Sequence, residues 1–174
     1  MRLIPRSSYQ NMRWKNGLGT TEQIESQPGI FRISAAHIST SSPFSSYPGQ
    51  KRWLAIWKGQ GLMLNQHHLT PNQAYHFGGE DKIICQNLSL EVIDVGVIYD
   101  PNEVEVMMSI LFLGPGQKLN TMTGQQFLFC AEGRLQTGEI FVEEGDTLKL
   151  HSNAEIYSSA ISRIIHIQMT KKKP

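Results

Sequence analysis

Apolar and polar positions alternate with a period of two along most of this chain. The pattern is clear in IFRISAAHI (30–38), RWLAIW (52–57), SLEVIDVGVIY (89–99), VEVMMSILFL (104–113) and SRIIHIQM (162–169). Successive side chains of a strand point to opposite faces, so each run predicts a half-buried β-strand. In the fourth run Val104, Val106, Met108, Ile110 and Phe112 share one face, while Glu103 and Glu105 fall on the other. Turn residues separate the runs at YPGQ (47–50), KGQG (58–61), TPNQ (70–73), FGGE (77–80), GPGQ (114–117), EGR (132–134) and EEGD (143–146). No segment carries the period of a long amphipathic helix, so the pattern predicts an all-β chain.

A weak internal repeat refines that expectation. Trp53–Trp57 leads through KGQG to Leu62–Leu64 and then to TPNQAYHF. Phe127–Phe129 leads through AEGR to Glu139–Val142 and then to EEGDTLKL. A strand–turn–strand–turn–strand unit occurring twice predicts two antiparallel jelly-roll barrels of the cupin type, a bicupin. The turn signal Asp100-Pro101-Asn102 sets the boundary, giving a first barrel over 1–102, a smaller second barrel over 103–170 and a basic tail over 171–174.

Composition narrows the partners. The 174 residues are 40% hydrophobic and 18% charged with a formal net charge of +1, which gives no electrostatic pull toward nucleic acid. Lys171–Lys173 is the one basic run and reads as a solvated end. No apolar stretch has the length of a signal peptide or a spanning helix, so no membrane association and a cytoplasmic location are expected. Cys85 and Cys130 lie in apolar strand-like runs and read as buried thiols. A homodimer through an outer sheet is compatible with the Trp53/Trp57 alternation.

Many barrels of this type hold a metal through two histidines spaced to share a strand face. Here His67 and His68 are adjacent and would face opposite ways, and no histidine occurs between Gly114 and Leu150. His76 with Glu80 is the remaining two-ligand candidate, weaker than a surface reading. No metal and no cofactor are therefore expected. The serines of 39–46 lack a nucleophile elbow, and the glycines at 17 and 19 lack a phosphate-binding fingerprint, so no catalytic residue is assigned.

The N-terminal stretch RWKNGLGTTEQI (13–24) is the most specific motif. It resembles the WKNGGGxTxEI signature of the HutD/Ves family, and the resemblance continues through FRISAAHI, SPFSSYPGQKRWLAIWKGQGLML and FGGEDKIICQNL. Trp14, Lys15, Asn16, Gly17, Gly19, Thr21 and Ile24 match the signature, whereas Leu18 replaces a glycine and Gln23 a glutamate. Arg32, Ser34 and Ala36 match the following strand, and Pro43, Phe44, Ser45, Pro48 and Gly49 match a PFSxFPG loop with Tyr47 as its aromatic. Arg52 and Leu54 match the RxL beyond it. Asp94 matches an aspartate further on, but Gly96 and Ile98 stand where asparagine and methionine are usual.

The resemblance implies a single-chain bicupin without the usual cupin metal. It also implies a small-molecule-binding, regulatory protein of bacterial histidine utilisation. Lys15, Asn16, Thr21, Gln23, Arg52 and Asp94 are the expected ligand-binding residues, and Lys15, Asn16 and Arg52 are expected to converge on a small carboxylate metabolite. Guanidinium offers a bidentate fork, ammonium a point charge and carboxamide a neutral pair. The alternative is a metal-independent cupin-type isomerase or lyase using His37 or His76 as acid–base group, which requires a histidine in the same pocket as Arg52.

Overall fold

The computed structural model describes residues 1–14 and 19–172. Its strands are β1 (Arg2–Ile4), β2 (Gln10–Arg13), β3 (Gly19–Gln27), β4 (Phe31–Ile38), β5 (Ser42–Pro43), β6 (Lys51–Lys58) and β7 (Leu62–Leu64). There follow β8 (His67–Leu69), β9 (Ala74–Gly78), β10 (Ile84–Asn87), β11 (Val92–Tyr99), β12 (Val104–Leu113) and β13 (Lys118–Asn120). The last are β14 (Gln125–Glu132), β15 (Arg134–Thr137), β16 (Ile140–Glu143), β17 (Thr147–Leu150), β18 (Glu155–Ser158) and β19 (Ser162–Lys171). Every alternating run of the sequence lies on one of these strands. Among the described residues the only helical element is the short turn Arg6–Ser8.

The chain divides into a unit of Tyr9–Val104 and a unit of Met1–Ser8 with the residues from Glu105 on. The first eight residues therefore belong with the C-terminal unit, because β1 pairs antiparallel with β17. Lys171, assigned to a tail by its charge, closes β19.

The Tyr9–Val104 unit has a six-stranded sheet in the order β2-β3-β4-β11-β6-β9 and a four-stranded sheet in the order β5-β10-β7-β8. Ile38, Leu54, Ile56, Phe77 and Val92 from the first sheet meet Leu62, Leu64, Leu69 and Cys85 from the second in one apolar cluster. The other unit has sheets in the orders β1-β17-β14-β19-β12 and β13-β18-β15-β16. Its core combines Leu128, Cys130, Leu148, Leu150 and Ile164 with Leu135, Val142 and Ile156. Both cysteines are buried and free.

The sequence repeat is thus a repeat of strand order: β4-β11-β6-β9 recurs as β12-β19-β14-β17, and β5-β10-β7-β8 as β13-β18-β15-β16. The counterpart of Leu62–Leu64 is β15, so the stretch 139–142 matched to it by pattern corresponds instead to β8. Short strands carry too few residues for alternation to fix their register.

The loop between β5 and β6 is held from two sides. Tyr47-Pro48-Gly49-Gln50 has Gly49 at φ 77° and a Gln50 N–H to Tyr47 C=O hydrogen bond of 3.1 Å, the geometry of a type II turn with Pro and Gly in their preferred places. Its ends clasp Gly79, whose C=O accepts from Tyr47 N–H and whose N–H donates to Gln50 C=O, each at 2.7 Å. A Cβ on Gly79 would lie 2.2 Å from the Tyr47 carbonyl oxygen, inside backbone that cannot yield. Gly79→Ala is expected to cost about 1–3 kcal/mol, the usual scale of forced overpacking, and to release Tyr47 from its position. Urea unfolding monitored by tyrosine and tryptophan fluorescence measures both effects.

Candidate functional site

Three rows of side chains run across one face of the six-stranded sheet, fixed by backbone pairing. Met12, Thr21, Ala36, Asp94 and Ile56 form one row, since each is the register partner of the next. Ser34, Gly96, Leu54 and Tyr75 form the next, and Arg32, Ile98, Arg52 and Phe77 the third. This face begins at Ile38 and Val92 in the apolar core and becomes small and polar two residues on. Ala36, Ser34 and Gly96 carry almost no bulk, so space remains above them. The result is a cavity of about 530 Å³ lined by these rows, apart from Ile56, Tyr75 and Phe77 at their ends, together with Arg13, Trp14, Pro43, Phe44, Ser45 and Tyr47.

Trp14 forms one wall. Its Nε1–H donates to Thr21 Oγ1 at 2.7 Å, and its backbone N–H donates to the Gly19 carbonyl at 3.0 Å. The ring lies so close over Gly19 that a Cβ there would sit 3.0 Å from Trp14 Cε3 and 2.5 Å from the His37 carbonyl oxygen. The second glycine of the signature is therefore what lets the indole close the wall.

The opposite wall is built from aromatic rings and two guanidinium groups. The Arg52 guanidinium lies over the rings of Phe44, Phe77 and Tyr47 at 4.8, 5.1 and 5.6 Å, and its Nη1 donates to the Ser45 carbonyl at 3.3 Å. Cation–π contacts of this kind are worth about 0.5–2 kcal/mol each as water is withdrawn. Burial lowers the Arg52 pKa, partly offset by the charge of Asp94. Arg32 Nη2 donates to Tyr47 Oη at 3.0 Å, while Arg32 Nε is buried without a hydrogen-bond partner.

Asp94 lies on the floor, 4% exposed. Burial pushes its carboxyl up to about 7; the nearby Arg52 charge and a hydrogen bond from the Ala36 backbone N–H pull the other way. Among the ion pairs of the described residues there is none between Asp94 and Arg52. The two face the same cavity from neighbouring strands without closing on each other.

The structure thus brings together Thr21, Arg52 and Asp94 of the expected ligand-binding residues. Lys15 and Asn16 lie outside the described residues. Gln23 pairs with Ser34 but is not among the lining residues: the register of β3 against β4 shifts between Gln23 and Glu25, and the Gln23 amide donates to Ser26 Oγ at 3.3 Å beside a neighbouring depression that shares Arg32, Tyr47 and Ile98 with the cavity. Such a bulge re-aims the side chains next to it. Arg32, Trp14, Ser34 and Tyr47 were not singled out beforehand as ligand-binding. A signal existed for Arg32, which shares a strand face with Ser34 and Ala36 in the alternation of 30–38.

The histidines lie elsewhere. His37 Nε2 meets Glu22 Oε1 at 2.9 Å, and His76 stacks on Trp53 at 4.6 Å while its Nε2 meets Tyr99 Oη at 3.0 Å. Glu80 accepts from the Gly49 N–H at 3.0 Å and so does not form a pair with His76. No histidine lines the cavity among the described residues, which removes His37 and His76 as acid–base groups beside Arg52. The one lining group that titrates near neutrality is Asp94. Among the described residues no three His, Cys, Asp or Glu side chains are placed to hold a metal ion. No helix there is long and apolar enough to cross a membrane.

The all-β fold is cupin-like: a bacterial pirin from Escherichia coli superposes with a TM-score of 0.70 and a cupin 2 conserved barrel domain protein from Leptotrichia buccalis with 0.59, each at 10% identity. The chain belongs to the HutD family, whose model matches residues 6–171. It is 28% identical over 172 residues to a protein of Pseudomonas putida described as an uncharacterized 21.2 kDa protein in the hutC 3' region, with 90% of each chain covered. A conserved protein of unknown function from Pseudomonas aeruginosa PAO1 superposes with a TM-score of 0.86 at 21% identity over 99% of both chains. HutD from Pseudomonas fluorescens SBW25 superposes with a TM-score of 0.81 at 22% identity, again over 99% of both.

The buried carboxyl has a measurable cost. The unfolded chain gives up the Asp94 proton near pH 4, whereas the fold retains it to about 7. Its contribution to stability is therefore full below pH 4 and declines as pH rises through 7. His166 opposes this trend, because burial lowers its pKa to about 4 and stability is lost as pH falls from the ordinary imidazole value toward that point. The comparison with Asp94→Asn isolates the carboxyl. Between pH 5 and pH 8 the wild type should lose about 2–3 kcal/mol relative to the variant, read from paired urea melts at the two pH values.

Proposed function

We propose that this protein is a small-molecule-binding, regulatory HutD-like protein whose cavity receives a small carboxylate metabolite of bacterial histidine utilisation. The observation that carries this reading is the charge of the lining: Arg32 and Arg52, on the cavity face of their strands, share it with a single carboxyl group, that of Asp94. A cavity with two such cations and one acid favours an anion. The buried, unpartnered Nε of Arg32 supports it further, since an unsatisfied buried donor costs about 1–3 kcal/mol until an acceptor reaches it. Phe44, Tyr47 and Trp14 offer flat apolar surface for the remainder of a planar or short-chain ligand. The link to histidine utilisation rests on family membership and on the hutC region of the Pseudomonas putida relative.

The alternative, a metal-independent isomerase or lyase, keeps one supporting observation, the near-neutral titration of Asp94. The two readings separate on whether a bound ligand is converted and whether conversion stops in Asp94→Asn while binding persists.

A thermal-shift panel of urocanate, formylglutamate, formiminoglutamate, histidine and simple sugars tests the binding reading. A ligand at 100 times its dissociation constant adds about 2.7 kcal/mol of stability, and carboxylates are expected to produce the shifts. Arg52→Met keeps an apolar chain against Phe44 and Phe77 but removes the charge. It should weaken the best carboxylate by about 1.5–3 kcal/mol, the scale of a charge-assisted hydrogen bond, measured beside the melting temperature of the unliganded variant, which registers separately the loss of the cation–π contacts.

A further inference from the structure

We propose that Asp94 meets the ligand as the neutral acid, donating its proton as a hydrogen bond to the ligand's carboxylate, so that the anion binds together with one proton taken from solvent. The inference deepens the carboxylate-binding reading and rests on it. It makes Asp94 a specificity determinant: the site would accept a plain carboxylate and reject the same skeleton bearing an ammonium group.

The argument starts from position. Asp94 is 4% exposed yet lines the cavity, two register rows from Arg52, with the side-chain-free Gly96 in the row between. The groups around it are Arg52 on β6, Arg32 on β4, Tyr47 from the loop before β6, Cys85 on β10 and Arg13 at the end of β2. Thr21 on β3 and the Ala36 N–H on β4 supply neutral polar contacts. Neither lysine nor histidine is among the described lining residues. Arg52 is held by three aromatic rings and the Ser45 carbonyl and forms no ion pair with Asp94, and both line the same cavity, so a ligand carboxylate in it can meet guanidinium and acid together.

A carboxylate placed there brings two acids side by side, and two such groups in one desolvated site share a proton rather than both ionising. Asp94 already retains its proton to about 7, so an incoming anion raises that value further. An amino acid would present an ammonium instead, which favours the ionised form of Asp94 and reverses the linkage. The sign of the pH dependence therefore reports the ligand class.

Propionate and alanine, which share a three-carbon skeleton, serve as probes. Their affinities for the full chain are measured by NMR chemical-shift titration at pH 6.5, 7.5 and 8.5, in the wild type and in Asp94→Asn. The expected result is a roughly tenfold loss of propionate affinity from pH 7.5 to 8.5 in the wild type. Asp94→Asn should stay within about twofold over that interval, because an amide donates without titrating. Alanine should bind at least about tenfold more weakly than propionate at pH 6.5. The Asp94 carboxyl resonance, followed in wild-type protein, should titrate at higher pH with propionate present, and this arm stands even if the variant fails to fold. Propionate affinity that is independent of pH in the wild type, or a preference for alanine, overturns the role of Asp94 while leaving an anion site. Absence of binding by propionate and by every carboxylate of the thermal-shift panel, at all three pH values, overturns both the inference and the reading beneath it.

Discussion

The pairing of β11 between β4 and β6 is the constraint on which the site depends. Its register places Arg32, Ile98 and Arg52 in one row and Ala36, Asp94 and Ile56 in another. A slip of one residue would move all of them to the other face, because side chains alternate with a period of two. The pairing is pinned at one end by the turn that joins β3 to β4. There Ile30 N–H bonds Gln27 C=O at 3.0 Å, and Asp100 N–H bonds Ile30 C=O at 2.8 Å. Apolar core at one end and charged cavity at the other follow from the order of side chains along strands already locked together.

The two units show different uses of the same strand order. In the C-terminal unit the buried His166 and Gln126 satisfy each other, Nε2 to Oε1 at 2.8 Å, within an apolar core. In the Tyr9–Val104 unit the equivalent sheet keeps a carboxyl and two guanidinium groups facing open space, and Arg32 Nε is buried there with no partner among the described residues. Internal satisfaction stabilises; incomplete satisfaction leaves binding capacity at a cost in stability.

Much of this was legible in the sequence. Alternation located the long strands, because ten residues such as 104–113 give several readings of the same face. It failed for the short strands around β15 and β16, where three or four residues fit either register. The motif resemblance brought out Thr21, Arg52 and Asp94, which share the cavity. It also led to Gln23, whose side chain is redirected by a bulge that no residue pattern announces. Arg32 matches the family's strand, but its place in the cavity follows only from the pairing of β4 with β11 and of β11 with β6. The near-neutral carboxyl of Asp94 was beyond reach for the same reason, since its cause is burial among strands that are distant in the chain, those of Ala36 and Arg52 among them.

The emptiness above Ser34, Ala36 and Gly96 has an evolutionary side. A Cβ on Gly96 would meet only ordinary contacts, 3.4 Å from the Trp53 carbonyl oxygen and 3.5 Å from Leu54 Cδ1. Added bulk at that position would occupy the cavity and leave the backbone pairing intact. The capacity of the cavity is thus set at Gly96 by a position that bears little of the burden of folding. Descendants of this chain could narrow the space by single substitutions there while the strands around it kept their register.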